Sequence, residues 1–279
     1  MIKVTNLSFQ YPNGIKVLNG IDFRIAKGEF VALIGQNGAG KTTLLKQFNA
    51  LLKPTSGSVQ VAGIDTRESS TSVLAGKVGF LFQNPDHQIF MPDVRREIGF
   101  GPRNLGLSKP EMQKRVAAAA AAVGLTPYLA ANPLLLSKGQ RQRVAFASVL
   151  AMQPEILVLD EPTTGQDYRE GIEIMEMVRE LNRNGHTIIF VTHDMELVAG
   201  YAKRVVVLSQ GGVLLDDTTR NVFYQPEVLL RTHLFPPQIA QLVQRLAKHR
   251  PLTQKALTVP EAFGEISLLE EVRSHVGNC

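Results

Sequence analysis

Cysteine is almost missing from this chain: the only one, Cys279, is the last residue. An intrachain disulfide is therefore excluded, as is a prenylation box, which needs residues beyond its cysteine, and a reducing compartment fits. No apolar run approaches the roughly 18 residues of a membrane span, and strand-like sequence follows Met1 directly, so neither a span nor a signal peptide is expected. Any membrane link has to come through a partner. Blocks of about five or more like charges are also missing, which argues against a nucleic-acid tail. The balance of 30 basic against 25 acidic side chains, +5 in all, still allows attraction to an anionic membrane face or its proteins. No internal repeat is evident. With 279 residues and 44% hydrophobic content, the chain can bury one sizeable core and a smaller satellite, so we expect one α/β domain with appendages.

Against these absences stands one dense motif, Gly35-Gln36-Asn37-Gly38-Ala39-Gly40-Lys41-Thr42-Thr43. It fits a phosphate-binding loop at every required position. The glycines let backbone N–H groups turn inward around a polyanion, Lys41 can reach terminal phosphates, and the Thr42 hydroxyl can ligate Mg²⁺. The apolar run Glu29 to Ile34 ahead of it reads as a strand, and Lys41 to Leu52 behind it reads as a helix whose N-terminus would face the phosphates.

Taken in order, Ile2 to Ser8 and Ile21 to Ile25 alternate apolar and polar residues and flank the turn Tyr11-Pro12-Asn13-Gly14, which predicts antiparallel strands. Tyr11 is placed either to stack on an adenine ring or to serve as an ordinary turn aromatic. Ser58 to Ala62 and Lys77 to Phe82 predict further strands. Gln83, at the end of the second, can touch a bound ion or water, or simply shape the turn. From Val94 to Val123 the pattern is helical, with Pro110 as a first-turn residue after Ser108 and an alanine run from Ala117 to Ala122 that allows close helix packing. Ser137 then precedes a helix to about Met152, where it suits an N-cap.

The run Ile156-Leu157-Val158-Leu159-Asp160-Glu161 is a buried strand carrying two carboxylates to its carboxyl end, where open α/β sheets bind ligands. Asp160 would reach the Mg²⁺ held by Thr42, and Glu161 would polarise a water for in-line attack on a γ-phosphate. Tyr168 to Asn184 predicts a helix stopped by Gly185, and Thr187 to Thr192 a buried strand ending at His193. That histidine can contact the γ-phosphate or orient the water, or act as a structural hydrogen-bonder. Val205 to Leu208 and Gly212 to Leu215 suggest a terminal strand pair.

Together these pieces resemble the ATP-binding subunit of ATP-binding cassette transporters, over about residues 2 to 224. The resemblance implies a P-loop NTPase cassette of the α/β class: a mixed sheet core, an N-terminal antiparallel β subdomain and an inserted α-helical subdomain at about residues 84 to 152. It makes Tyr11 the adenine-stacking aromatic and residues 35 to 43 the Walker A loop. Gln83 becomes the Q-loop glutamine, touching metal and water, and Leu136 to Gln140 the signature motif, with Ser137, Gly139 and Gln140 on the nucleotide. Asp160 is then the Walker B aspartate, Glu161 the catalytic glutamate, Thr164 to Asp167 the D-loop, with Asp167 at the nucleotide, and His193 the switch histidine. ATP and Mg²⁺ are the implied cofactors. Two departures stand out: Lys138 replaces the first of the usual two glycines after the signature serine, and Thr164-Gly165-Gln166 replaces a small apolar tripeptide. Because Ser137 and Gly139 take the phosphate, Lys138 is expected beside the nucleotide with a side chain free to extend.

A narrower resemblance lies in Phe82-Gln83-Asn84-Pro85-Asp86-His87-Gln88-Ile89-Phe90, continuing through Val94, Glu97 and Phe100-Gly101-Pro102. It is similar to the energy-coupling-factor group, importers of vitamins and of cobalt or nickel. That implies homo- or heterodimeric ATPases at the cytoplasmic face of the cell membrane, peripheral to a membrane coupling (T) subunit and a substrate-capture (S) subunit, with no nucleic acid. The stretch 225 to 279 suits a C-terminal extension for dimer contact, with amphipathic helical sequence from Val228 to Lys248 broken at Pro236-Pro237 and another apolar set from Leu252 to Glu271. The rival reading is a soluble cassette ATPase acting on nucleic acid or ribosomes. Only 95 residues separate Lys41 from Ser137, which leaves no room for long coiled-coil arms.

Overall fold

The computed structural model describes residues 1–248, 255–265 and 267. Cys279 and much of the Leu252 to Glu271 set lie outside the described residues.

Ten strands and ten α-helices lie wholly within the described residues, with further helical residues at 259–265, in the order β1 (Ile2–Gln10), β2 (Lys16–Ile25), β3 (Phe30–Gly35), α1 (Lys41–Phe48), β4 (Ser56–Val61), β5 (Ile64–Asp65), α2 (Thr71–Ala75), β6 (Val78–Leu81), α3 (Val94–Asn104) and α4 (Lys109–Ala122). Then come α5 (Lys138–Met152), β7 (Ile156–Asp160), α6 (Tyr168–Arg183), β8 (Thr187–Val191), α7 (Met195–Tyr201), β9 (Arg204–Ser209), β10 (Gly212–Thr218), α8 (Thr219–Phe223), α9 (Pro226–Leu230) and α10 (Gln238–Leu246). The strands form a four-stranded antiparallel sheet ordered β2-β1-β4-β5 and a six-stranded sheet ordered β10-β9-β3-β8-β7-β6. Within the larger sheet β9, β3, β8, β7 and β6 run parallel, and β10 is antiparallel at the edge. This is the mixed core, with the separate antiparallel sheet, that the motifs imply.

Its layering follows from strand periodicity. Every residue of β3, β7 and β8 is buried, as expected for parallel strands covered on both faces. Along β3 the side chains alternate between two cores: Phe30, Ala32 and Ile34 join the helices, while Val31 and Leu33 join α1 and the antiparallel sheet. Each fully buried aliphatic or aromatic side chain contributes about 1.5–3 kcal/mol. The helix α5 sits close on β6, since a Cβ on Gly79 would lie 2.5 Å from Val149 Cγ1.

Several boundaries differ from the sequence reading. The strand β2 begins at Lys16, five residues before the predicted start, because its first half pairs with the end of β1 through register shifts that blur alternation. The helical region from Val94 divides into α3 and α4, with Leu105 to Ser108 between them. Asp93 caps α3, accepting from the Arg96 N–H at 2.8 Å. The helix α1 stops at Phe48 rather than Leu52. Beyond α8, Leu229, Ala240 and Leu257 join the helix-side core, so the C-terminal segment is seated on the cassette. The helix α9 already ends at Leu230, ahead of Pro236-Pro237, and α10 starts directly after the two prolines.

Candidate active site

Four neighbouring parallel strands deliver the site at their carboxyl ends. In spatial order β3 leads into the glycine loop, β8 into His193, β7 into Asp160 and Glu161, and β6 toward Gln83. Register makes these level: Leu33 pairs with Val191, Val191 with Asp160, and Leu159 with Leu81. A cavity of about 420 Å³ opens there, lined by Asn37, Gly38, Gly40, Lys41, Thr42, Thr43, Gln83, Asp160, Glu161 and His193 together with Ile15, Val17 and Val191.

The loop is shaped by close backbone approach. A Cβ on Gly35 would lie 2.3 Å from the Leu208 carbonyl oxygen, and one on Gly40, at φ +100°, would lie 2.7 Å from Leu18 Cδ2. Neither position accepts a side chain. Lys41 folds back over the loop, its Nζ donating to the Gly35 carbonyl at 2.7 Å and the Gln36 carbonyl at 3.0 Å. Burial holds its pKa below the usual lysine value, against the opposing pull of Glu161 and Asp160. The Thr42 hydroxyl donates to Asp160 Oδ2 at 2.8 Å. These two oxygens are the hard ligands that Mg²⁺ takes when it keeps water and phosphate oxygens as its other partners. The donor set therefore fits the ion.

Glu161 follows β7 with φ +54°, an unfavourable conformation for a non-glycine residue. Its N–H donates to the Val191 carbonyl at 3.0 Å, which fixes the turn. The carboxyl is buried, Oε1 lacks a hydrogen-bond partner among the described residues, and His193 Nε2 lies 3.6 Å away. Burial first, then repulsion from Asp160, pushes its pKa up to about 7. Burial likewise raises Asp160. His193 is lowered by burial and by Lys41, which favours the neutral imidazole.

A stability test follows. In metal- and nucleotide-free protein, folded Glu161 retains between pH 4.5 and about 7 a proton that the unfolded chain releases, so stability from this group falls as pH rises through that window. Glu161→Gln should therefore raise the melting temperature more near pH 8 than near pH 5. An equal shift at both would show that the carboxyl is not desolvated.

The remaining predicted residues fall outside the cavity lining. Tyr11 sits beside it, its hydroxyl 3.2 Å from Thr43 Oγ1 and its ring edge-on to Phe9. Ser137 caps α5 in a reciprocal box with Gln140, whose N–H donates to Ser137 Oγ at 3.1 Å while Gln140 Oε1 accepts from the Ser137 N–H at 3.0 Å. Gly139 lies under Gln166, whose Nε2 donates to its carbonyl at 3.0 Å. Asp167 caps α6, accepting from the Glu170 N–H at 2.8 Å. Lys138 is exposed, and its methylenes lie over Gly165, where a Cβ would be 3.1 Å from Cδ and Cε. Sequence reasoning missed Ile15 and Val17, the apolar wall of the cavity. Ile15 directly follows the Tyr11 turn and is exposed, and nothing in the sequence pattern marks either residue as facing the cavity.

The family profile for the ABC transporter matches residues 18–164. A putative ABC transporter ATP-binding protein of Caldanaerobacter subterraneus subsp. tengcongensis is 49% identical over 89% of this chain, which spans 44% of that relative's length. The energy-coupling factor transporter ATP-binding protein EcfA of Methanocaldococcus jannaschii is 45% identical over 89% of this chain and 90% of its own. Among solved structures, cbiO1 from Clostridium perfringens, part of the ABC transporter complex cbiONQ, superposes with a TM-score of 0.73 at 38% identity, covering 87% of this chain and 98% of that one.

Proposed function

The chain belongs to the ABC transporter family, and we propose that it is the ATP-hydrolysing subunit of an energy-coupling-factor type importer, powering uptake of a vitamin or of cobalt or nickel through membrane partners. One observation carries the mechanism: the cavity collects Lys41, Thr42, Gln83, Asp160, Glu161 and His193 but not Ser137 or Gly139. A γ-phosphate site of the resembled kind is then complete only when a second copy, or a second cassette ATPase, presents its Ser137-Gly139 turn. The exposed start of α5 suits that role, because unpaired helix N–H groups and the helix dipole favour an anion.

Within one chain, the loop N–H groups and Lys41 hold the phosphates, and Tyr11, Ile15 and Val17 face the base. Thr42, Asp160 and Gln83 would hold Mg²⁺, which when bound supplies neutralising charge on the β- and γ-phosphates. Glu161, desolvated with a pKa of about 7, accepts a proton from the attacking water, a poise suited to a general base. Neutral His193 orients that water or the γ-phosphate. Closure of the dimer depends on the γ-phosphate, so hydrolysis releases it.

The stretch Gln83 to Phe90 and the start of α3 are proposed to meet the membrane coupling subunit. Glu97 accepts from the Phe90 and Met91 N–H groups at 2.9 and 2.7 Å, holding Phe90 outward against Phe100 in an exposed edge-on pair. Arg141 joins the same stretch to the signature turn, donating to Asp86 Oδ1 at 2.7 Å and to the Leu136 carbonyl at 2.6 Å. Among the described residues no helix is long and apolar enough to cross a membrane; attachment at the cytoplasmic face through the membrane partners is part of the proposal.

We take residues 2–224 as the ATP-binding domain and 225–279 as an extension that meets a second ATPase subunit. Phe235, Leu242 and Phe263 are exposed apolar residues of that extension. Replacing all three by Glu should weaken nucleotide-free self-association at least about tenfold, roughly 1.4 kcal/mol, while leaving the melting temperature within a few degrees. Unchanged self-association would remove the dimer role. The proposal as a whole is tested by isolating the tagged chain from its own membranes. Recovery with a coupling subunit and a substrate-capture subunit is expected; recovery with ribosomes or nucleic acid instead would overturn it.

A further inference from the structure

Lys138 and the segment Thr164-Gly165-Gln166 depart from the family pattern separately in sequence, yet they meet in the fold. Gln166 Nε2 donates to the Gly139 carbonyl at 3.0 Å, and Gln166 Oε1 lies 3.2 Å from where a Cβ on Gly139 would stand. In return, the Lys138 methylenes cover Gly165. Each long side chain rests on the other segment's glycine. A side chain at Gly165, which already stands at φ +82°, would press on the Lys138 stem, and one at Gly139 would press on the Gln166 amide.

Other ties run in parallel. Gln142, fully buried on α5, donates from Nε2 to the Pro162 carbonyl at 3.5 Å, and Arg143 Nη2 lies 3.1 Å from Glu170 and 3.6 Å from Glu173 on α6. These hold the body of α5 to the segment after Glu161. Of these ties between α5 and the segment after Glu161, the Lys138 and Gln166 contacts are the ones at the first turn of α5, where Ser137 and Gly139 are; Arg141 ties the same turn to Asp86.

We infer that Gln166 and Lys138 clasp the loop after Glu161 onto the signature turn of the same chain, making Gln166 a positioning residue for Gly139. The inference rests on the reading that Gly139 serves the nucleotide of a second copy. Given that reading, the turn presented to one nucleotide is fastened to the loop that leaves the catalytic glutamate of the other. The lysine acts through its methylene stem and not through its charge.

The test uses the full-length chain in a Glu161→Gln background, so that hydrolysis does not intervene. Two quantities are measured: affinity for a fluorescent ATP analogue in dilute monomer, and the Mg·ATP concentration at half-dimerisation by sedimentation velocity. Gln166→Leu should raise the half-dimerisation concentration about fivefold, as expected for loss of one hydrogen bond that orients a contact, with monomer affinity unchanged. Gln166→Glu should raise it further, since a carboxylate then faces the Gly139 carbonyl. Should Gln166→Leu fold poorly, Gln166→Asn, a methylene short of Gly139, should shift dimerisation in the same direction. Lys138→Met, which keeps the stem, should match the parent, whereas Lys138→Gly should resemble Gln166→Leu.

If Glu161→Gln itself fails to dimerise with ATP, the functional reading fails. If it dimerises and the Gln166 variants match it, the clasp fails. A lowered melting temperature without a change in half-dimerisation would reduce Gln166 to a structural residue, and Lys138→Met behaving like Lys138→Gly would move the lysine's role to its charge; either result overturns the clasp as stated.

Discussion

Glu161→Gln should lower ATP turnover by about 10²–10⁴-fold, the range that general-base catalysis supplies, while ATP binding persists and an ATP-bound dimer accumulates. The carboxyl is buried, its Oε1 has no hydrogen-bond partner among the described residues, and the attraction lost with its charge is chiefly that to Lys41. The amide keeps the shape and takes away the proton acceptor. It also removes repulsion with Asp160, one of the forces that raise the Glu161 pKa, and folding should not suffer. Lys41, whose Nζ already sits on the loop carbonyls, still holds the phosphates. Near-normal hydrolysis by this variant would remove Glu161 from the base role and leave His193 as the remaining candidate.

Gly139→Asp should be as damaging for a different reason. Its Cβ would come within 3.2 Å of Gln166 Oε1 and 3.4 Å of the Gly165 carbonyl oxygen, and its carboxylate would face the γ-phosphate offered by the second copy. Loss of one preorganised anion contact costs about 10²–10³-fold, and the added negative charge deepens it. An acidic residue in the first turn of a helix is favourable by about 0.3–1 kcal/mol, so the fold should survive the substitution, and a melting temperature close to that of the parent checks this. Lys138→Gly, one residue earlier, should change the rate by less than about tenfold, roughly 1.4 kcal/mol of barrier. Steady-state hydrolysis with membrane partners present separates the two. Were Lys138→Gly as inactive as Gly139→Asp, the lysine would be an essential cation of the composite site.

What could be read from sequence is what local chemistry dictates. The glycine loop and Thr42 were legible because they lie between a strand end and a helix start, and Asp160 because it ends a buried strand; the Thr42 hydroxyl stands 2.8 Å from Asp160 Oδ2. Ser137 was legible as a cap, with its partner three residues on; Asp167, read only as a nucleotide contact, caps α6. Features that depend on contacts between distant segments were not. Ile15 and Val17 reach the cavity only because β2 begins early and turns beside the loop. The Gln166 to Gly139 bond joins residues 27 apart through the seating of α5. The C-terminal segment reads as an appendage by its broken amphipathic pattern, but periodicity does not reveal that Leu229, Ala240 and Leu257 enter the cassette core.

The central claim is that ATP bound between this chain and a second cassette drives import through membrane partners. The most direct measurement is accumulation of labelled cobalt, nickel and vitamins in vesicles that carry the co-purified complex, with Mg·ATP on the side of this subunit. The account predicts that one of these solutes accumulates with ATP, and that accumulation stops in complexes carrying Lys41→Ala or Glu161→Gln. Accumulation that continued undiminished with both substitutions would contradict it.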